Sequence, residues 1–168
     1  MRPPFLLSGG EENFNAYQTE FDALFCSGFN DILGNEVIFS QNRCHHICYK
    51  SEDKKWNKGR RDQWIQARAE RIPWIYAALK TPDFIRISYG EIWAYLLAVE
   101  QDRENNLPPE LFVAIVNSNG VKPNRPGTVY FMTGYTITFK QWNEFKKNHP
   151  WIYPPDTPKA QNSRKKNK

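Results

Sequence analysis

The chain is short of the residues that make cross-links and carry protons: of 168 residues, three are cysteine, three histidine and two methionine. Cys26, Cys44 and Cys48 are an odd number at low density, which argues against a disulfide framework and for a reducing compartment. No stretch approaches the ~20 consecutive apolar residues of a membrane span. The opening MRPPFLLSGGEEN has one Arg and too short an apolar run for a secretory signal, so no membrane partner and a cytoplasmic location are expected. A structural zinc site draws four ligands, usually from two separated pairs, and no second CxxC or HxxxH pair accompanies Cys44 and Cys48. Buried thiols suit these two better, and neither a metal nor another cofactor is expected.

What the chain does hold is aromatic surface and an uneven charge. Aromatics make up 15% of it, with six Trp, enough to fill the core of one domain of this length. The net charge of +5 comes entirely from the last ten residues, KAQNSRKKNK; without them 18 basic residues face 18 acidic ones. A second basic cluster, Lys50 to Arg71, sets eight Lys/Arg against four Asp/Glu. Within it Lys54, Lys55, Lys58, Arg60 and Arg61, interleaved with Trp56 and Trp64, would suit a phosphate backbone and unstacked bases. A charge run is also often no more than a solvated face, and basic tails serve solubility.

Taken in order, residues 1–13 combine prolines, a Gly pair and two Glu, as a flexible leader would. Phe14, Tyr17, Phe21, Leu24, Phe25, Phe29 and Ile32 then recur three and four apart, which predicts one amphipathic helix closed by Gly34. Glu36 to Ser40 is β-prone, and Asn42 can cap a helix running to Tyr49. A helix is expected from Arg60 to Arg71. Pro73 opens a second, short one that Thr81-Pro82 ends. Next come DFIRISY, IWAYLLAVE, LFVAIVNSNG and TVYFMTGY, four strand-like runs linked by turn-rich loops. Thr138 can cap a last helix, FKQWNEFKKN, which Pro150 stops, and 150–168 reads as a basic, Pro-rich disordered tail. The expected fold is α+β: N-terminal helices, a four-stranded antiparallel sheet and a C-terminal helix, in a single domain over 14–149.

Acid-base chemistry near neutral pH centres on the pair His45-His46, because imidazole alone titrates there unperturbed. On a helix whose buried stripe is Cys44, Ile47 and Cys48, the two histidines are turned from Cys44 by about 100° and 200°, so at least one faces outward. Arg86 on an alternating strand, and Thr133 and Tyr135 two apart on another, could hold a ligand. Their plain reading is as strand formers and a half-buried aromatic.

The succession VIFSQNRCHHI, ALKTPDFIRI, the strands from Trp93 to Val99 and LFVAIV, and TVYFMTGY resembles the phage-associated branch of the barnase, EndoU, colicin and RelE-like nuclease superfamily. The elements that carry it are Ser40, His46-Ile47, Pro82-Asp83-Phe84-Ile85 and Thr133-Gly134-Tyr135. The family often has Lys or Arg immediately before the histidine, where this chain has His45, with Arg43 further back. The resemblance implies a metal-independent endoribonuclease, a toxin or effector whose partners are RNA, tRNA among its forms, and an inhibitor or immunity protein. His46 would be the acid or base, His45 a second proton carrier, Arg86 the phosphate clamp, and Thr133 and Tyr135 further phosphate contacts. The alternatives are a non-catalytic nucleic-acid-binding or phage-particle accessory protein, which would bind in a salt-dependent way without cleaving, and a protein-interaction module. ADP-ribose chemistry has less support, since no Arg/Ser/Glu constellation on strands stands out.

Overall fold

Helix α1 (Phe14–Phe25) buries Tyr17, Phe21 and Phe25, the face that the apolar spacing marks out. A computed structural model describes residues 6–50, 63–99, 109–148 and 151–155. The helix stops earlier than the period predicts, with Gly28 in a left-handed conformation at φ +97°. Phe29 nevertheless keeps its place in the pattern because the loop folds it back: its ring lies 5.4 Å from Phe25, and Phe39 stacks on Phe25 at 4.3 Å. Residues before α1 are tied down, with Leu7 N donating to Glu70 O at 2.9 Å and the Gln66 side chain to Gly9 O at 2.9 Å.

The other helices are α2 (Arg43–Cys48), α3 (Gln66–Ala69), α4 (Ile72–Lys80) and α5 (Phe139–Asn148). The strands are β1 (Glu36–Ile38), β2 (Tyr49–Lys50), β3 (Gln63–Trp64), β4 (Phe84–Tyr89), β5 (Ile92–Val99), β6 (Glu110–Asn117), β7 (Thr128–Ile137) and β8 (Trp151–Tyr153). Pro73 lies at the start of α4, as its missing N–H allows. Thr138 and Gln141 form a reciprocal capping box for α5: Gln141 N donates to Thr138 Oγ1 at 3.2 Å and Thr138 N to Gln141 Oε1 at 2.9 Å.

The expectation of a four-stranded antiparallel sheet is overturned. The sheet has six strands in the order β1-β7-β6-β5-β4-β8, and it is mixed, because β1 runs parallel to β7. A separate two-stranded ribbon joins β2 and β3. The four consecutive strands pair antiparallel, but the sheet is extended at both edges by segments of three residues, too short to show a period. A parallel neighbour is also remote in sequence, so β1 carries no hairpin signal pointing to β7. It is held there by Glu36 N donating to Gly127 O at 2.9 Å and Gly127 N donating to Asn35 Oδ1 at 2.9 Å. Strand β8 falls just past Pro150, in the segment whose composition reads as tail. Trp151 there packs on Phe84, ring to ring at 4.7 Å.

Both sheet faces are covered, so β5 and β6 are buried throughout their middles, as strands between two layers must be. On one face α1, α2 and α4 enclose Ile85, Tyr95, Phe112 and Phe131. On the other, α5 lays Trp142 against Phe84, Ala94, Leu96, Val113 and Ile115. Among the described residues no helix is long and apolar enough to cross a membrane.

Two contacts set the depth of these layers. The Asp31 carboxylate, 5% exposed, accepts from Leu33 N at 2.9 Å, Asn35 N at 2.8 Å, Asn35 Nδ2 at 3.1 Å and the Tyr95 hydroxyl. Burial first, then the neighbouring Asp31 charge, raise the Tyr95 phenol well above its ordinary pKa, so it stays a donor. The second contact is at Gly134, where a Cβ would stand 2.9 Å from Phe112 Cζ and 3.0 Å from Ile75 Cγ1, inside van der Waals contact. Glycine here lets α4 sit directly on β7. Tyr95→Phe is expected to cost ~1.5–3 kcal/mol, the range for a hydrogen bond to a charged group, and Gly134→Ala ~1–3 kcal/mol through overpacking. Urea unfolding would show both as lower midpoints at unchanged slope; a midpoint equal to wild type would refute the role given to that residue.

Candidate functional site

The site is built on α2. Its buried stripe is Cys44, Ile47 and Cys48, and the hydrogen bond to Cys48, followed by burial, raises the Cys44 thiol so that it stays protonated. With that stripe facing in, Arg43 and His46 lie three residues apart on one helix face. Arg43 reaches across to the sheet, where its Nη1 donates to Met132 O at 2.7 Å. The next link is the ribbon: Tyr49 pairs with Trp64 and Lys50 with Gln63, and Ile65 N donates to Cys48 O at 2.7 Å. That pairing lays α3 beside α2 and brings Arg68 to the same place.

The result is a cleft of about 410 Å³ lined by Arg43, His46, Arg68, Met132 and Thr133. Two arginines, a histidine and a threonine are among its lining residues, and none of the described residues that line it is acidic. In such a site an anion has charge-assisted donors on more than one side. Among the described residues no group of three or more His, Cys, Asp or Glu is placed to hold a metal ion.

Of the residues picked out by sequence, His46 and Thr133 meet here, although 87 positions separate them. His45 is adjacent but turned away: its ring stacks on Tyr49 at 4.4 Å and meets the edge of Phe14 at 6.0 Å. Tyr135 lines a different, smaller cavity of about 240 Å³ with Ser88, Gln141, Glu144 and Phe145. The register shift of β7 at Met132 precedes both residues, and Thr133 and Tyr135 then pair with Ile115 and Val113 in one register. What parts them is α5, whose Gln141, Glu144 and Phe145 enclose Tyr135 in its own cavity.

Arg86 does not line the cleft. It is 3% exposed, with its guanidinium 4.1 Å from the Trp151 ring centroid and Nη2 donating to the carbonyl of Lys146. Burial lowers its pKa, and Nε has no hydrogen-bond partner among the described residues. Its place is explained by packing: it closes the C-terminal end of α5, where a cation complements the helix dipole, and fastens β8. Lys54, Lys55, Lys58, Arg60 and Arg61 lie outside the described residues.

Two members of the cleft escaped the sequence reading as site residues. For Arg43 a signal existed, since it lies three positions before His46 and so shares its helix face. For Arg68 there was none, because its position depends on the β2–β3 pairing. A larger groove of about 660 Å³ is lined by Ala67, Arg71, Glu110, Thr136, Phe139 and Trp142 among others. Its titratable groups, Arg71 and Glu110, are bound to each other at 2.9 Å.

Comparisons with protein-family models, with curated proteins and with solved structures find no match. The functional reading rests on the cleft.

If Arg86 is a fastener, Arg86→Ala should cost ~2 kcal/mol or more, having removed a charged hydrogen bond and a cation–π contact together. Backbone amides of Trp151–Tyr153 should then exchange faster with solvent. Protection unchanged from wild type would leave Arg86 without this role.

Proposed function

We propose that the cleft binds a phosphodiester of RNA and that His46 promotes its cleavage without a metal ion. The observation that carries the proposal is the convergence of the His46 imidazole with the Arg43 and Arg68 guanidinium groups and Thr133 in one concave site. The nuclease resemblance seen in the sequence adds support, because His46 and Thr133 are two of the residues that carry it.

In this reading the two guanidinium groups hold the non-bridging phosphate oxygens, and Thr133 donates to one of them. Arg43 is already fixed by its bond to Met132 O, so its charge is oriented before substrate arrives. His46 takes the proton of the ribose 2′-hydroxyl as that oxygen attacks the adjacent phosphorus. The bond from phosphorus to the 5′-oxygen breaks, and the 5′-oxygen takes a proton from water. The products are a 2′,3′-cyclic phosphate and a 5′-hydroxyl. Negative charge grows on the non-bridging oxygens as phosphorus becomes five-coordinate, which is where the guanidinium groups act most strongly.

A second reading is binding without cleavage. It is favoured by the placement of Arg86, Tyr135 and His45, which the resemblance assigned to catalysis and which lie away from the cleft. The two readings part in one assay, incubation of the full chain with mixed RNA in EDTA. Cleavage that survives chelation, and falls ~10²- to 10⁴-fold in His46→Ala as loss of a general base requires, supports the nuclease. Salt-sensitive binding with no product selects the binding protein. Full activity in a folded His46→Ala would dismiss the assignment of His46.

A further inference from the structure

We propose that the apolar groove beside the cleft receives a base of the same RNA chain, and that Phe139 is the ring on which it stacks, which makes the substrate single-stranded. This rests on the RNA reading of the cleft and adds to it the class of RNA and a residue that would contact a base.

The two concavities have no lining residue in common, but residues near one another on α3 and on β7 line them. On α3, Arg68 lines the cleft while its neighbour Ala67 lines the groove. On β7, Thr133 lines the cleft and Thr136 and Ile137 the groove. Three residues along a strand cover roughly 10 Å at ~3.3 Å per residue, short enough for one extended chain to occupy both. At about 660 Å³ the groove lies in the range of pockets that enclose a small molecule.

Its chemistry suits a base rather than another phosphate. The Arg71 guanidinium is engaged by both Glu110 at 2.9 Å and Glu70 at 2.7 Å, so it has no positive charge to spare for a phosphate. The other described residues that line it are mostly apolar, Phe139 and Trp142 among them. Trp142 is 7% exposed and belongs to the core, but Phe139 is 72% exposed at the first position of α5. A large ring left in water beside a basic cleft offers a stacking platform of the kind that single-stranded nucleic-acid sites use. A base still paired in a duplex could reach it only after unstacking, which disfavours double-stranded RNA.

The test measures binding of the full chain to fluorescent single-stranded RNA and to an abasic ribose-phosphate oligomer of the same length. Phe139→Ala should weaken binding of the base-containing strand by roughly five- to hundredfold, the range for loss of one stacking contact, and leave the abasic oligomer unaffected. Phe139→Trp should restore it. Arg68→Ala should weaken both. If Phe139→Ala leaves base-containing RNA unaffected while Arg68→Ala weakens it, or if Phe139→Ala weakens both oligomers alike, the base subsite is wrong and the phosphate cleft stands. If the wild-type chain binds neither oligomer, the RNA reading falls and the subsite with it.

Discussion

The parallel pairing of β1 with β7 covers three residues and ends with Ile38 opposite Tyr130, so β7 continues to Ile137 with no further strand on that edge among the described residues. An open strand edge exposes backbone groups that must find partners. Here the first of them, the carbonyl of Met132, is taken by the guanidinium of Arg43. That bond draws α2 against the edge and puts His46 beside Thr133. A longer β1 would have filled the space that the cleft occupies. The site therefore exists because an edge strand is short and the helix after it begins with an arginine.

Arginines at three places in this structure do three different things, and their partners distinguish them. Arg71 is bound to Glu70 and Glu110 and lies over Trp74 at 4.9 Å, so it ties α4 to the start of β6. Arg86 is buried against a helix-end carbonyl and an indole, and anchors the last strand. Arg43 and Arg68 line the cleft beside His46, and Arg43 also bonds the Met132 carbonyl. A guanidinium bound by two carboxylates, as Arg71 is, has no charge left for an anion from solution. Net charge alone, all of it in the last ten residues, says nothing of this division.

Much of the fold could be read from residue order because its elements are local. The stripe of Cys44, Ile47 and Cys48 gave α2, Pro73 gave the start of α4, Thr138 gave that of α5, and the four apolar runs gave β4 to β7. Where reading failed, the structure joins pieces too short or too distant to leave a period. The Phe25 to Phe29 spacing continued past the helix because both rings enter one aromatic cluster, one from a helix and one from a loop. Strands β1 and β8 are three residues each, and only their pairing with β7 and β4 makes them strands. For the site, His46 and Thr133 were legible as residue types, but their meeting was not, nor was the exclusion of Arg86 and Tyr135.

The sequence by itself did not determine the helices in full, since the one expected over Arg60–Arg71 holds β3 and only the short α3. It did determine where the four long strands lie, that the cysteines on α2 face inward, and that an imidazole on that helix must then face outward. These follow from periodicity and burial, which act between near neighbours in the chain. Tertiary structure alone decided that the sheet has six strands, that Arg68 joins Arg43 at the cleft, and that Arg86 is enclosed under Trp151. Those outcomes depend on contacts between residues tens of positions apart, where the partner is selected by shape and unsatisfied hydrogen bonds. Neither leaves a trace in local spacing.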